Sequence, residues 1–191
     1  ANAVEAYVSL RSSSYSDGFV VRAVRLLFDN LAASLGGDDH ALEQVHNAAT
    51  IAGMAVGNAM SGLGHALANA IESCIRIDHG KCIAILLPAV IRLNGASPDH
   101  DGFAGRKYAE LVAKIGYAAG DVAAHEFLAQ KVEALVKELK MATRFQEFVK
   151  EAEWREAVAK IADLALKDPS GNENPTQPTP EALAEFLLRL Y

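Results

Sequence analysis

The stretch from Asn47 to Asn94, NAATIAGMAVGNAMSGLGHALANAIESCIRIDHGKCIAILLPAVIRLN, decides the fold. It is almost wholly apolar or small, and Gly53, Gly57, Gly62 and Gly64 punctuate the helices expected to carry its histidines. Its apolar residues follow no strand-like alternation, so the pattern predicts helices packed at the centre of a domain. Two histidines, His65 and His79, lie inside it. An imidazole buried without a partner costs about 2 kcal/mol or more. Two of them among Gly and Ala, where backbones can approach closely, point to the wall of a metal or cofactor site. The residues alone leave a second reading open, a pair of core or helix-end histidines bonded to carbonyls. The separation, 79 − 65 = 14 residues, is too long for one helix face at i, i+4 and fits two segments joined by a turn, with His79 where Gly80 opens a helix.

Outward from this centre the helical period continues. Ala1–Leu10 reads as a helix with no capping residue before Asn2. Ser16 or Asp17 is expected to cap the next helix, whose stripe Val20, Val24, Leu27, Phe28, Leu31 and Leu35 ends at Gly36-Gly37. Asp38 or Asp39 caps a helix reaching about Ser61. A helix from Gly80 to about Leu93 precedes a loop, Asn94–Gly102. Further helices are expected over Phe103–Ile115, along the stripe Leu128, Val132, Leu135, Val136 and Leu139, and over Glu151–Leu166. The segment 167–179 holds Pro169, Gly171, Pro175 and Pro178 and reads as a Pro-rich surface belt. Thr179 then caps a last helix with Pro180 in its first turn. No βαβ pattern, phosphate-binding loop or G-x-G-x-x-G is present. The expected fold is all-α, one domain over residues 1–191 of about seven to nine helices.

Composition narrows the function classes. Of the 191 residues, 51% are apolar, and the net charge of −6 offers no clustered basic face for nucleic acid. Cys74 and Cys82 are too few for a disulfide framework, read as small core residues and fit a reducing cytosol. The apolar run Cys82–Val90 is too short for a bilayer and is broken by Pro88. A soluble cytoplasmic domain without a membrane partner is expected.

The layout G-x-x-H-A-x-A-x around His65, I-x-H-G around His79 and the following A-I-L-L-P-x-V-I-x-x-N resemble the iron-dependent (group III) alcohol dehydrogenases. Glu5-Ala6-Tyr7-Val8-Ser9, Tyr15-Ser16-Asp17-Gly18, Ala48–Ala55, Arg106–Glu110 and Asn174-Pro175 extend the likeness over nearly the whole chain. They read like the alcohol dehydrogenase half of bifunctional acetaldehyde–alcohol dehydrogenases. The resemblance implies the helical C-terminal half of a dehydroquinate synthase-like fold, lacking the N-terminal Rossmann-like half that holds the cofactor. It implies Fe2+ (or Zn2+) and NAD(P) as cofactors and a small alcohol or aldehyde as substrate. The N-terminal nucleotide-binding half is the implied partner, and a homo-oligomer is among the assemblies it allows. His65 and His79 fall on two of the family's metal-ligand positions.

The sequence also departs from that pattern. Asn2 stands where the family motif D-x-x-x-H-A-x-E-A-Y-x-S has a ligand histidine, and the motif's Asp would fall four residues before Asn2. Asn69, one turn after His65, occupies the position of a second family histidine near the nicotinamide, a catalytic position that an amide cannot serve by titrating. Glu72 and Asp78 replace a glycine and a proline. They are candidate substitute donors, against the plainer readings of Glu72 as a solvated helix residue and Asp78 as a helix cap. These changes lead us to expect a degenerate metal site with no tightly bound metal, and the lack of a phosphate-binding loop to orient a nicotinamide leads us to expect no catalysis by this chain alone. A catalytically inactive structural or assembly module is the alternative.

Overall fold

A computed structural model describes residues 1–191. Nine α-helices, joined by short connections and two 3-10 turns, make up the chain, and no strand is present. They are α1 (Asn2–Val8), α2 (Ser14–Leu35), α3 (Asp39–Ala59), α4 (Leu63–Ile75) and α5 (His79–Ala96), then α6 (Asp99–Lys114), α7 (Ala124–Glu138), α8 (Glu151–Lys167) and α9 (Pro180–Leu188). The all-α expectation holds. No helix is long and apolar enough to cross a membrane.

Two apolar cores form, and α5 serves both. Its Leu87 and Ile91 enter a core built from α1, α2, α3, α6 and α7. Its Cys82, Ile85, Leu86 and Val90 face a second core with α4, α8 and α9, in which Trp154 stacks on Phe145 at 4.5 Å between ring centroids. Residues three and four apart share a helix face, so a helix apolar on most sides can divide two cores in this way. Pro88 does not break α5: the helix runs through it, although the ring removes one backbone hydrogen bond. The centre of the fold is therefore α4 and α5. The α3 part of the Asn47–Asn94 stretch lies at the periphery, contrary to expectation. It buries only the stripe Ala41, Ala48, Ala52, Ala55 and Ala59 and leaves Met54 exposed. Methyl-sized residues on that stripe let α3 lie close along α2, forming a helical hairpin that buries little bulk.

Several boundaries differ from the sequence reading. Ser13, not Ser16 or Asp17, caps α2; Ser16 is the other half of a capping box, its hydroxyl accepting from the Ser13 N–H at 2.8 Å. Asp38 caps α3 through the Ala41 N–H, and α3 stops at Ala59 because Met60 turns to φ 69°. Helix α5 continues past Leu93 to Ala96, since the buried Asn94 amide finds partners elsewhere and does not compete with the helical backbone. The expected loop thus shrinks, and His100, Asp101 and Gly102 form its left-handed turn. The belt is not wholly at the surface: Asn174, Pro175 and Thr176 are buried.

Candidate functional site

The beginnings of α4 and α5 place the two histidines. Helix α4 starts at a glycine and has no side-chain cap from its own segment. Its first N–H groups, which an α-helix leaves without internal partners, are satisfied from distant parts of the chain. Glu5, on α1 and only 2% exposed, accepts from the Gly62 N–H at 3.0 Å and the Gly64 N–H at 2.6 Å. Asn174, from the belt, accepts from the Leu63 N–H at 3.1 Å. A carboxylate at this end is further favoured by the helix dipole. A Cβ on Gly64 would lie 2.5 Å from Glu5 Oε1, so glycine is what lets the carboxylate reach the backbone.

Glu5 also meets the site. Its Oε2 contacts His65 Nδ1, three residues into α4. His79 is the first residue of α5, behind Asp78, which caps the helix by accepting from the Gly80 N–H at 3.1 Å and the Lys81 N–H at 3.4 Å. The two imidazoles come together, with ring centroids 5.5 Å apart and planes tilted by 50°. Glu72 Oε2 stands 3.7 Å from His79 Nδ1, close enough to attract a charged ring but too long for a hydrogen bond. Asn69, exposed one turn along α4 from His65, donates through Nδ2 to Asp168 Oδ2 at 2.9 Å. The other Asp168 oxygen accepts from the Ser170 N–H at 2.8 Å. Burial works to raise the Asp168 carboxyl. The Asn69 amide, the Ser170 N–H and hydroxyl, and the nearby His65 outweigh it and hold the carboxyl below its ordinary range.

The candidates from sequence therefore divide. His65 and His79 are together, and Asn69 is on the same face of α4 as His65. Asp78 is engaged as a cap. Glu72 is near His79 but half-exposed, and Asn2 lies exposed at the start of α1. No three His, Cys, Asp or Glu side chains converge as a metal-holding group. Three participants were given no site role from sequence, although Glu5 and Asn174 belong to segments that carry the family resemblance. Glu5 carried a signal, a lone carboxylate inside the apolar run Ala3–Val8, because a charge that must be buried needs several donors. No local pattern announced the contacts of Asp168 and Asn174, since their partners lie 99 and 80 to 111 residues away. Asn174 pairs reciprocally with Asn94, donating to its Oδ1 at 2.9 Å and accepting from its Nδ2 at 3.0 Å, and so ties the belt to α5. Cys82 is buried beside the start of α5, and burial, with Glu72 and Asp78 nearby, pushes its thiol up to about 12. It is an inert core thiol.

Comparison with known proteins places these features in context. The aldehyde-alcohol dehydrogenase 2 of Entamoeba histolytica is 36% identical over 200 residues, covering all of this chain and 23% of that protein. The bifunctional aldehyde-alcohol dehydrogenase of Escherichia coli is also 36% identical and again covered over 23% of its length. The solved structure of an iron-containing alcohol dehydrogenase from Thermococcus thioreducens superposes with a TM-score of 0.90 at 30% identity, over the whole chain and 47% of that enzyme. The chain thus spans about a quarter of the bifunctional relatives and about half of this single enzyme. The family model for the C-terminal part of Fe-containing alcohol dehydrogenases matches residues 1–191. With that match over its full length, the chain belongs to the Fe-containing alcohol dehydrogenase family, in its C-terminal region.

Proposed function

We propose that the chain is the helical half of an NAD(P)-linked alcohol–aldehyde oxidoreductase with an altered metal site, and that turnover needs a nucleotide-binding half N-terminal to it. The observation that carries the reading is the meeting of His65 and His79 at the starts of α4 and α5, 5.5 Å apart by ring centroid. The relatives support the partner half, because each is two to four times longer than the segment matched here. The names of the same relatives support an alcohol or aldehyde as substrate, and two free cysteines agree with a reducing cytosol. The residues form one domain in this reading, with 167–179 as a belt clamped by Asn174.

The family implies a divalent iron, and the donors in this chain do not fit a complete iron or zinc centre. Such centres take three or four protein donors. Here two imidazoles converge, Asn2 offers only an exposed amide, and Asp78 is spent on its helix. The chain's own groups hold and orient instead. Glu5 engages His65 at Nδ1 and leaves Nε2 for a ligand. Asp168 engages the Asn69 NH2 and leaves the Asn69 Oδ1 as an acceptor for a hydroxyl or amide N–H.

The test compares the full-length protein with its Asn2→His/Asn69→His variant, by elemental analysis and by alcohol-dependent NAD(P)+ reduction. The parent should hold far less than one metal per chain and turn over slowly, and the variant should gain in both. Losing even an outer partner of a metal ligand costs roughly 10–100-fold, so restoring an inner one should exceed that. A parent with one tightly held iron and full turnover would overturn the degenerate-site reading. No nicotinamide-linked turnover in either protein would favour the structural-module alternative.

A further inference from the structure

We propose that Glu5 is the positioning residue of His65 within the histidine pair, fixing the start of α4 and the tautomer of that ring in a single contact set. The proposal rests on reading His65 and His79 as the functional site.

The carboxylate is 2% exposed and faces three donors: the Gly62 N–H, the Gly64 N–H and the His65 ring at Nδ1. A carboxylate has no hydrogen to give, so the ring nitrogen beside it must carry the proton. A neutral His65 is therefore the Nδ1–H tautomer, with the lone pair on Nε2. Free imidazole side chains in water prefer the opposite tautomer, so the assignment is distinctive. The backbone contacts matter as much as the ring contact. Because the two glycine N–H groups hold both oxygens, the carboxylate cannot swing with the ring, and the ring takes its orientation from the helix start. Glu5 itself is held by α1, whose Val4, Ala6, Tyr7 and Val8 are buried around it. A shift of α1 would move the carboxylate, the first turn of α4 and the His65 ring together. Nothing comparable holds His79, whose nearest carboxylate, Glu72, is half-exposed and 3.7 Å away.

The experiment is a long-range 1H–15N correlation spectrum of 15N-histidine-labelled full-length protein, at a pH where the rings are neutral. His65 is assigned by its loss in His65→Gln. Native His65 should show one tautomer, protonated at Nδ1. Glu5→Ala removes the acceptor. Gly64→Ala keeps the carboxylate but sets a Cβ 2.5 Å from Oε1 and displaces it. Both should shift His65 to the Nε2–H form or a mixture, with His79 unchanged. If Glu5→Ala fails to fold, Gly64→Ala decides the question, because alanine is a helix former and Gly64 has no positive φ. A native His65 protonated at Nε2, or a folded variant that keeps the Nδ1–H tautomer, overturns the proposal. The functional reading fails separately, if His65→Gln and His79→Gln leave nicotinamide-linked turnover unchanged while the tautomer result stands.

Discussion

Replacing Asn174 by Ala should be among the most damaging single changes in the belt, although it removes only one small polar side chain. Asn174 is 1% exposed and its amide is fully occupied. The oxygen accepts from the Leu63 N–H and Asn94 Nδ2, and the NH2 donates to Asn94 Oδ1 and to the Thr176 carbonyl at 2.7 Å. Truncation leaves four buried groups without that partner. Each orphaned buried group costs about 1–3 kcal/mol. Water entering the vacated space recovers part of this, so the net loss should be about 3–5 kcal/mol. Asn94→Ala should cost less, because Asn174 then still serves Leu63 and Thr176. The double variant should fall short of the sum by about 1–2 kcal/mol, since the Asn94 groups orphaned by the first change are gone. Urea unfolding of the 191-residue chain, followed through Trp154, its one tryptophan, measures all three. An Asn174→Ala variant within about 1 kcal/mol of the parent, or strictly additive changes, would refute the claim that this amide pair clamps the belt to α4 and α5.

The remaining predictions concern packing and pH. An added Cβ at Gly95 would overlap the His125 side chain, so Gly95→Ala should cost about 1–3 kcal/mol by overpacking α5 against α7. Gly95→Ala/His125→Ala should recover most of that in the same unfolding assay. Hydrogen bonds from Arg92, at 2.7 and 2.9 Å, outweigh burial and pull the Glu126 carboxyl down to about 2. A carboxyl depressed by folding stabilises the native state above its unfolded value and loses that contribution as pH falls through the folded one. Stability should therefore decline from roughly pH 4.5 towards about 2. Arg92→Met should remove that part of the acid lability, and a Tm–pH profile with the parent's slope in this window would contradict the assignment.

Much of the fold was legible in the sequence because helices are local. The Asp38 and Thr179 caps and Pro180 depend on residues three or four apart and are present in the structure, whereas the α2 stripe holds only in part: Val20 and Val24 are buried, Leu27, Phe28 and Leu31 half-buried, and Leu35 exposed. The histidine pair was legible for a different reason. Its spacing around Gly64 and Gly80, set in an apolar run, matched a motif, and the structure brings the rings together. The errors fell where a local pattern has more than one tertiary use. An apolar stretch predicted a central α3, but a helix of small residues can meet its neighbour along one narrow stripe and leave the rest exposed. Asn94 opened the expected loop, yet its amide, which could compete with helical backbone, is instead paired with a partner 80 residues away, and the helix continues.

By itself, then, the chain's sequence determined the helices, most of their ends and the two imidazoles that would face each other. Only the tertiary structure decided how α4 begins. Its first N–H groups have no local acceptor, so the fold had to supply Glu5 from one end of the chain and Asn174 from the other. Contacts at such separations leave no periodic trace, because which residues meet depends on how every intervening helix packs. The same packing engages His65 at Nδ1, places Asp168 against Asn69 and leaves Asn2 exposed at the start of α1.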